Sequence, residues 1–100
     1  MLTSLRDFIN ANLYEPIEVD ELARIAGLSP FHFSRTFRRS VGVTPHRYVM
    51  RTRLKRAREL LREGRLSFAQ IAAETGFADQ SHLSRWVRRV HGVTVRQLAA

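Results

Sequence analysis

The segment FSRTFRRSVGVT occupies residues 33–44, and the segment LSRWVRRVHGVT occupies residues 83–94 of the same chain. In one register the two segments share a serine, an arginine, an Arg-Arg pair and the ending Gly-Val-Thr. The chain has only 100 residues. A basic segment that recurs within so short a chain indicates a duplicated structural unit.

The duplication extends toward the N-terminal side of both segments. Gly27 aligns with Gly76 at an offset of 49, whereas Gly42 aligns with Gly92 at an offset of 50. One extra residue therefore lies in the second turn. Each copy has a short helix, a glycine-containing turn and a more basic second helix, which is the helix-turn-helix plan. Helical solenoids usually need three or more copies, so two copies fit a solenoid poorly.

Apolar residues recur at three- and four-residue steps along the chain, and this spacing predicts helices throughout, with no strand. Seven helices are predicted. The first ends at YEP (14–16), and the next three span 17–27, 30–41 and 45–63. The fifth begins at SFAQ (67–70) and ends at Gly76, the sixth spans 79–91, and the last is the short VRQLAA (95–100). Ser29 and Asp79 are expected to cap the helices that follow them. The predicted fold class is all-α, with two homeodomain-like helix-turn-helix subdomains (1–45 and 65–100) and a long linker helix (45–64).

The same periodicity predicts which side chains face the core. The expected core positions are Leu22, Ile25, Ala26, Phe33, Phe37, Met50, Leu54, Ala57, Leu61, Ile71, Ala72, Leu83 and Val87. Trp86 stands where the first copy has Thr36. It is either a core residue or a surface anchor on a nucleic-acid backbone, and we expect it to be partly buried.

Charge gives the first indication of function. The chain has 17 Lys and Arg residues against nine Asp and Glu residues, a net charge of +8, and all but Lys55 of the basic residues are arginine. Its pI is about 11.5, and a domain pI above about 9 is typical of nucleic-acid binding. On charge alone, an acidic membrane surface or an acidic protein stays open as an alternative partner.

Other classes of function find little support in the sequence. Cysteine is absent, no apolar run approaches the length of a membrane span, and the N-terminus lacks the pattern of a signal peptide. The four histidines (His32, His46, His82 and His91) have no metal-ligand spacing, and there is no glycine-rich phosphate loop. The segment DQSHLS (79–84) holds Asp, Ser and His, but at a helix start it predicts a cap and a polar face. We therefore expect no enzyme activity, no metal and no cofactor.

A recognition helix needs an apolar back and polar side chains on its front, where its N-terminal half meets base edges in the major groove. The front candidates are Phe31, Ser34, Arg35 and Arg38 in the first copy, and Gln80, Ser81, Arg85 and His82 in the second. Arginine pairs with guanine and glutamine with adenine through two hydrogen bonds. Arg39 and Arg89, near the helix ends, are better suited to phosphate contacts, which position a protein without reading sequence.

Each of these features also has a structural interpretation. The Arg38-Arg39 and Arg88-Arg89 pairs could form a solvated face near the negative end of the helix dipole. His32 and His82 are expected to pack or to cap. The arginines of the linker helix are expected to be solvated or paired with Glu59 and Glu63 rather than all bound to DNA; they are Arg47, Arg51, Arg53, Arg56, Arg58 and Arg62.

With these residues in view, the chain resembles the DNA-binding domain of the AraC/XylS family of bacterial transcription regulators. The resemblance covers essentially the whole chain. Its most specific part is IAAETGFADQSHLSRWVRRVHGVT (71–94), and GLSPFHFSRTFRRSVGVTPHRYV (27–49) and RLKRARELL (53–61) resemble the first unit and the linker helix. The chain departs from the family's usual pattern at VRQLAA (95–100), at Val87, where phenylalanine is frequent, and at Glu18, where serine is usual.

The resemblance implies that one chain places two recognition helices in adjacent major-groove segments of double-stranded DNA. The base-reading residues that it implies are Phe31, Ser34, Arg35, Gln80, Ser81 and Arg85; the expected backbone contacts are Arg38, Arg39, Arg88 and Arg89. It implies a cytoplasmic, nucleoid-associated regulator, with RNA polymerase as a second candidate partner. The segment is expected to bind as a monomer, and a dimer would need a further domain. The alternative function is a basic helical module that binds chiefly RNA or a protein.

Overall fold

The structure is a computed structural model that describes residues 2–100, and within them it contains seven helices and no strand. The helices are α1 (Leu2–Ala11), α2 (Val19–Ala26), α3 (Pro30–Val41), α4 (Pro45–Glu63), α5 (Phe68–Glu74), α6 (Gln80–His91) and α7 (Val95–Ala99). The predicted all-α class is confirmed. The chain forms two compact units, one that ends at Arg51 and one from Thr52 to Ala100, so that their boundary falls within α4.

The first unit holds α3 on a core that α1 and α2 supply. Its buried residues are Leu5, Ile9, Leu13, Leu22, Ala23, Phe33, Phe37 and Val49. The rings of Phe33 and Phe37 lie 5.5 Å apart, and the ring of Tyr48 meets Phe37 edge-on at 5.4 Å. Such tilted and edge-on pairs are favourable geometries for aromatic rings. The apolar back of α3 is thereby fixed, and its other faces are left for solvent.

The first helix is shorter than the sequence predicts. It ends at Ala11, three residues before the YEP segment. The side-chain amide of Asn12 donates to the carbonyl of Phe8 at 2.8 Å, and the Asn12 backbone N–H bonds to Ile9. Asparagine competes in this way with the regular helical hydrogen bonds, so the helix ends before the proline can act on it.

The prediction of a core position is wrong for one residue of α2. Ile25 is 40% exposed, whereas Ala23 is buried. The inward stripe of this helix is Val19, Leu22, Ala23 and Ala26, which follows the i, i+3, i+4, i+7 spacing of one helix face. Ile25 lies beside that stripe. Of the other expected core residues, Ala26 is partly buried and the rest are buried, as predicted.

The second unit repeats the plan with one added residue. In both units, the residue after the turn glycine donates its backbone N–H back to the preceding helix: Leu28 to Ala23 at 3.0 Å, and Phe77 to Ala72 at 2.9 Å. Ser29 then caps α3, while Ala78 precedes the cap Asp79 of α6. Ala78 is therefore the extra residue that the change of offset predicts. The buried residues of the second unit include Ile71, Ala72, Leu83 and Val87.

The basic surface of α4 is as expected except at one residue. Five of its six expected arginines are exposed, and Arg56 pairs with Glu59 at 2.9 Å. Arg53, however, is only 8% exposed, and burial lowers the pKa of its guanidinium. It lies three residues after the buried Met50 and four before the buried Ala57, so it shares their face of the helix. Its long aliphatic stem suits such a position.

Among residues 2–100, no helix combines the length and the apolar character that a bilayer crossing requires.

Candidate nucleic-acid interface

Helix α3 is held at both ends by its own sequence. The Ser29 hydroxyl accepts from the His32 backbone N–H at 3.3 Å, and Pro30 occupies the first turn. At the other end, Gly42 adopts φ of +92°, in the left-handed region that favours glycine. Phe33 and Phe37 fix the buried face. Because its ends and its buried face are fixed, α3 always exposes the same side, its front, to solvent.

The front of α3 brings together all the candidates of the first unit. A shallow depression is lined by Phe31, Ser34, Arg35 and Arg38, together with Thr44, which precedes α4, and Pro45 and His46, which begin it. Phe31 is 72% exposed, and the Arg35 guanidinium carbon lies 5.5 Å from the centre of its ring. An arginine within about 6 Å of an aromatic face is held by a cation–π interaction. Arg39 lies on a second depression beside Phe31 and His32.

Helix α6 is built in the same way. Asp79 accepts from the His82 backbone N–H at 2.8 Å, and Gly92 adopts a left-handed φ of +70°. Position by position at an offset of 50, α6 alternates between buried and exposed nearly as α3 does. Ser84, Arg85, Arg88 and Arg89 line one open depression on its front. Gln80 and Ser81 are exposed at the first turn, outside that depression.

His82 has a structural role. Its Nδ1 accepts a 3.0 Å hydrogen bond from the backbone N–H of Ala78, and its ring meets Phe77 edge-on at 5.4 Å. The prediction that His82 packs or caps is confirmed. His32, its counterpart, is exposed on the front of α3, beside Phe31 and Arg35, and is not packed in the core.

Trp86 is half-buried, as predicted. The guanidinium carbon of Arg89 lies 5.0 Å from the centre of its ring. One arginine of each recognition helix is therefore stacked on an aromatic ring, but the stacked arginine is Arg35 near the start of α3 and Arg89 near the end of α6.

The front arginines have no carboxylate partner. Among residues 2–100, the ion pairs of the basic surface join Arg56 to Glu59 at 2.9 Å and Arg65 to Glu63 at 2.6 Å, where the hydrogen bond from Arg65 lowers the pKa of Glu63. Six arginines of the two fronts take part in no such pair within that range: Arg35, Arg38, Arg39, Arg85, Arg88 and Arg89. Each front is therefore an uncompensated positive surface that can receive phosphates.

The residues that line these depressions but were not singled out as site residues from the sequence include Thr36, Thr44, Pro45, His46 and Ser84. Ser84 was identifiable, since it is the counterpart of Ser34 at the offset of 50. Thr44 directly precedes α4 and His46 lies in its first turn, and no pattern within α3 indicates that the start of α4 closes its depression. That information depends on tertiary packing.

Each unit thus has a capped, apolar-backed helix that follows a tight turn and presents arginines to solvent. Two such units in one chain define a protein with a double helix-turn-helix. Comparison with known proteins agrees: a family model described as a helix-turn-helix domain matches residues 22–100. The chain belongs to the AraC-type helix-turn-helix family of DNA-binding transcriptional regulators.

Two curated relatives are bacterial transcriptional regulators. The chain is 36% identical over 88 residues to the probable transcriptional regulator LumQ of Photobacterium leiognathi, covering 88% of this chain and 36% of LumQ. It is 36% identical over 88 residues to the regulator GbdR of Pseudomonas aeruginosa, covering 88% of this chain and 24% of GbdR. The chain thus spans roughly a quarter to a third of these curated relatives.

Two solved structures cover nearly the whole chain. A regulator with an AraC-type DNA-binding domain from Chromobacterium violaceum matches with a TM-score of 0.89 at 33% identity, over 98% of this chain and 88% of that one. The DNA-binding domain of the global transcriptional factor AdpA, in complex with a target DNA, matches with a TM-score of 0.88 at 26% identity, over 98% of this chain and 88% of that one. None of these comparisons supports RNA as the principal ligand.

Proposed function

We propose that this chain binds a specific double-stranded DNA site with both recognition helices and thereby regulates transcription. The observation that carries the proposal is the repeated front of α3 and α6. In both helices, the same positions present arginine to solvent without a carboxylate partner among the described residues. Each unit thereby offers a positive surface of the kind that contacts to DNA phosphates require.

The base-reading residues of the proposal are Phe31, Ser34 and Arg35 in α3, and Gln80, Ser81 and Arg85 in α6. All of them except the half-buried Ser34 are exposed. Arg35 and Arg85 lie one turn or more after the helix start, in the half of a recognition helix that meets base edges. Their forks suit guanine, and the Gln80 amide suits adenine.

We assign the contacts with the DNA backbone to the second half of each recognition helix. Arg38, Arg39, Arg88 and Arg89 are exposed in the last turns of α3 and α6. Contacts to phosphate fix the register of the protein on the duplex and supply the salt-dependent part of the affinity. We include α4 in the proposal as the linker helix (45–64) between subdomains 1–45 and 65–100.

The wider proposal concerns partners and location. This segment binds as a monomer on nucleoid DNA in the bacterial cytoplasm, without enzymatic activity. RNA polymerase is the second partner that we propose, because one relative, RhaS of Escherichia coli, is named a transcriptional activator. The test is transcription in vitro from a promoter that carries the selected site, with and without the chain.

The experiment for DNA recognition is selection of a preferred duplex from a random pool, followed by affinity measurements at fixed salt. The comparison duplexes are a scrambled sequence of the same composition and a double-stranded RNA of the selected sequence. We expect the selected DNA to bind more tightly by a factor of about 10³ or more. Equal affinity for all three duplexes would contradict sequence-specific DNA binding and would support the alternative of a basic helical module.

A further inference from the structure

The second recognition helix carries an aromatic residue that the first lacks at the same position. Trp86 is the counterpart of Thr36, and Arg89 is the counterpart of Arg39. The Arg89 guanidinium carbon lies 5.0 Å from the centre of the Trp86 ring. Side chains on a helix lean toward its N-terminus, so a residue at i+3 reaches back over residue i. The spacing of the two residues therefore allows the contact that the structure shows.

We propose that Trp86 is a positioning residue that holds the guanidinium of Arg89 ready for a DNA phosphate. This inference rests on the proposed function, and in particular on Arg89 as a backbone contact. An exposed arginine side chain normally samples many rotamers, and binding must restrict them at a cost in free energy. An arginine that is already stacked on tryptophan has lost part of that freedom before DNA arrives.

The geometry of a stack leaves arginine free to bind. When an arginine stacks on an aromatic ring, its N–H donors project from the edges of the guanidinium plane, where a phosphate accepts two of them. Arg89 is exposed, and it shares its depression with Arg85 and Arg88. No carboxylate among residues 2–100 forms an ion pair with it. A phosphate is thus the anion that this arrangement fits.

The first unit supplies an internal contrast. Thr36 offers Arg39 no ring at the corresponding place. The aromatic ring on the front of α3 is instead Phe31, which stacks with Arg35. Arg89 is therefore pre-positioned by an aromatic ring and Arg39 is not, although their positions in the repeat are identical. We therefore expect the contribution of Arg89 to DNA affinity to depend on the side chain at position 86. The contribution of Arg39 should not depend in this way on position 36.

The test uses the 100-residue chain, the duplex recovered by random-pool selection, and four variants. Trp86→Phe keeps a ring, Trp86→Leu keeps apolar bulk without a ring, Arg89→Ala removes the guanidinium, and Trp86→Leu/Arg89→Ala combines two of the changes. Melting temperatures confirm that each variant is folded under binding conditions. Because Phe and Leu both fill a half-buried position, the difference between them isolates the aromatic face.

We expect Trp86→Leu to weaken binding by about two- to fivefold relative to Trp86→Phe, the fold-change that matches a cation–π contact at an exposed site. The loss should be equal on the selected and scrambled duplexes, since phosphates carry no sequence. The effect of Trp86→Leu should disappear in the Arg89→Ala background, where Trp86→Leu/Arg89→Ala should bind like Arg89→Ala alone. A series of duplexes with one neutral methylphosphonate each should show one position whose effect is reduced in both Arg89→Ala and Trp86→Leu.

The outcomes separate the two proposals. If Trp86→Leu binds as tightly as Trp86→Phe, or if its loss persists in the Arg89→Ala background, Trp86 does not act through Arg89. If Arg89→Ala binds like the unchanged chain, the inference also fails, while sequence-specific binding by the other residues stands. Failure of the proposed function would appear earlier, as the absence of any preference for the selected duplex.

Discussion

The backbone N–H of Ala78 donates a 3.0 Å hydrogen bond to Nδ1 of His82, four residues further along the chain. Ala78 is the one residue that the second turn has in excess of the first. An added residue brings an added N–H group that lies outside the regular helical hydrogen bonds, and such groups need a partner. His82 supplies that partner, so its ring is a structural element of the longer turn.

The two histidines at equivalent positions should therefore differ in their effect on stability. We expect His82→Ala to lower the free energy of unfolding by about 1 kcal/mol, the usual cost of one lost hydrogen bond, with a further loss from the Phe77 contact. His32→Ala, at the exposed counterpart, is the matched control and should change it little. Urea unfolding of both variants measures the difference. Equal effects would show that His82 does not support the turn.

The apolar back of α3 should dominate its stability. Phe37 is buried against Phe33 and Tyr48. We expect Phe37→Ala to lower the free energy of unfolding by about 3–5 kcal/mol, as for other buried aromatic residues. Arg38→Ala, at the next position on the exposed face, should leave the melting temperature almost unchanged. Thermal unfolding of the two variants checks this, and an unchanged melting temperature for Phe37→Ala would contradict the observed rotation of the helix.

Affinity for DNA should fall steeply as salt is added. If the arginines of the two fronts and their neighbours neutralise about six to eight phosphates, a plot of log affinity against log salt should have a slope of roughly −5 to −7. Titrations of one duplex at several salt concentrations measure the slope. A chain that lacks Arg38, Arg39, Arg88 and Arg89 should give a distinctly shallower slope. A slope near zero for the unchanged chain would rule out phosphate contacts as a main source of affinity.

The parts of the fold that the sequence predicts best are those that local signals determine. Helix α3 begins at Pro30 and ends at Val41, as predicted, because Ser29, Pro30 and Gly42 act within a few residues of its ends. The extra residue of the second turn was also predicted, since the change of offset in the repeat requires it. Caps, glycine turns and helical periodicity need no knowledge of distant contacts.

The parts that were wrongly predicted depend on competition or packing. Asn12 ends α1 early through a side-chain bond to Phe8, and Ile25 lies beside the buried stripe of α2 and not on it. Arg53 is buried although a basic residue on a helix is usually solvated. The cation–π pairs of Arg35 and Arg89 depend on side-chain rotamers. A sequence pattern can place two residues one turn apart, but it does not determine whether they touch.

The central claim is that each recognition helix reads its own segment of one DNA site. Arg35 and Arg85 occupy equivalent positions in the two units, but their neighbours differ: Phe31 stacks with Arg35, whereas the counterpart of Phe31 in α6 is Ser81. The preferred site should therefore be asymmetric, with two short segments of unlike sequence.

Random-pool selection with the unchanged chain, Arg35→Ala and Arg85→Ala tests this claim most directly. We expect Arg35→Ala to lose preference at bases of the first segment only, and Arg85→Ala at bases of the second only, each at a cost of about 1–3 kcal/mol in binding free energy. Arg56→Ala, which removes an arginine paired with Glu59 on α4, is the matched control and should leave the selected sequence unchanged. If Arg35→Ala and Arg85→Ala lost preference at the same bases, or weakened binding to all sequences equally, the two helices would not read separate segments.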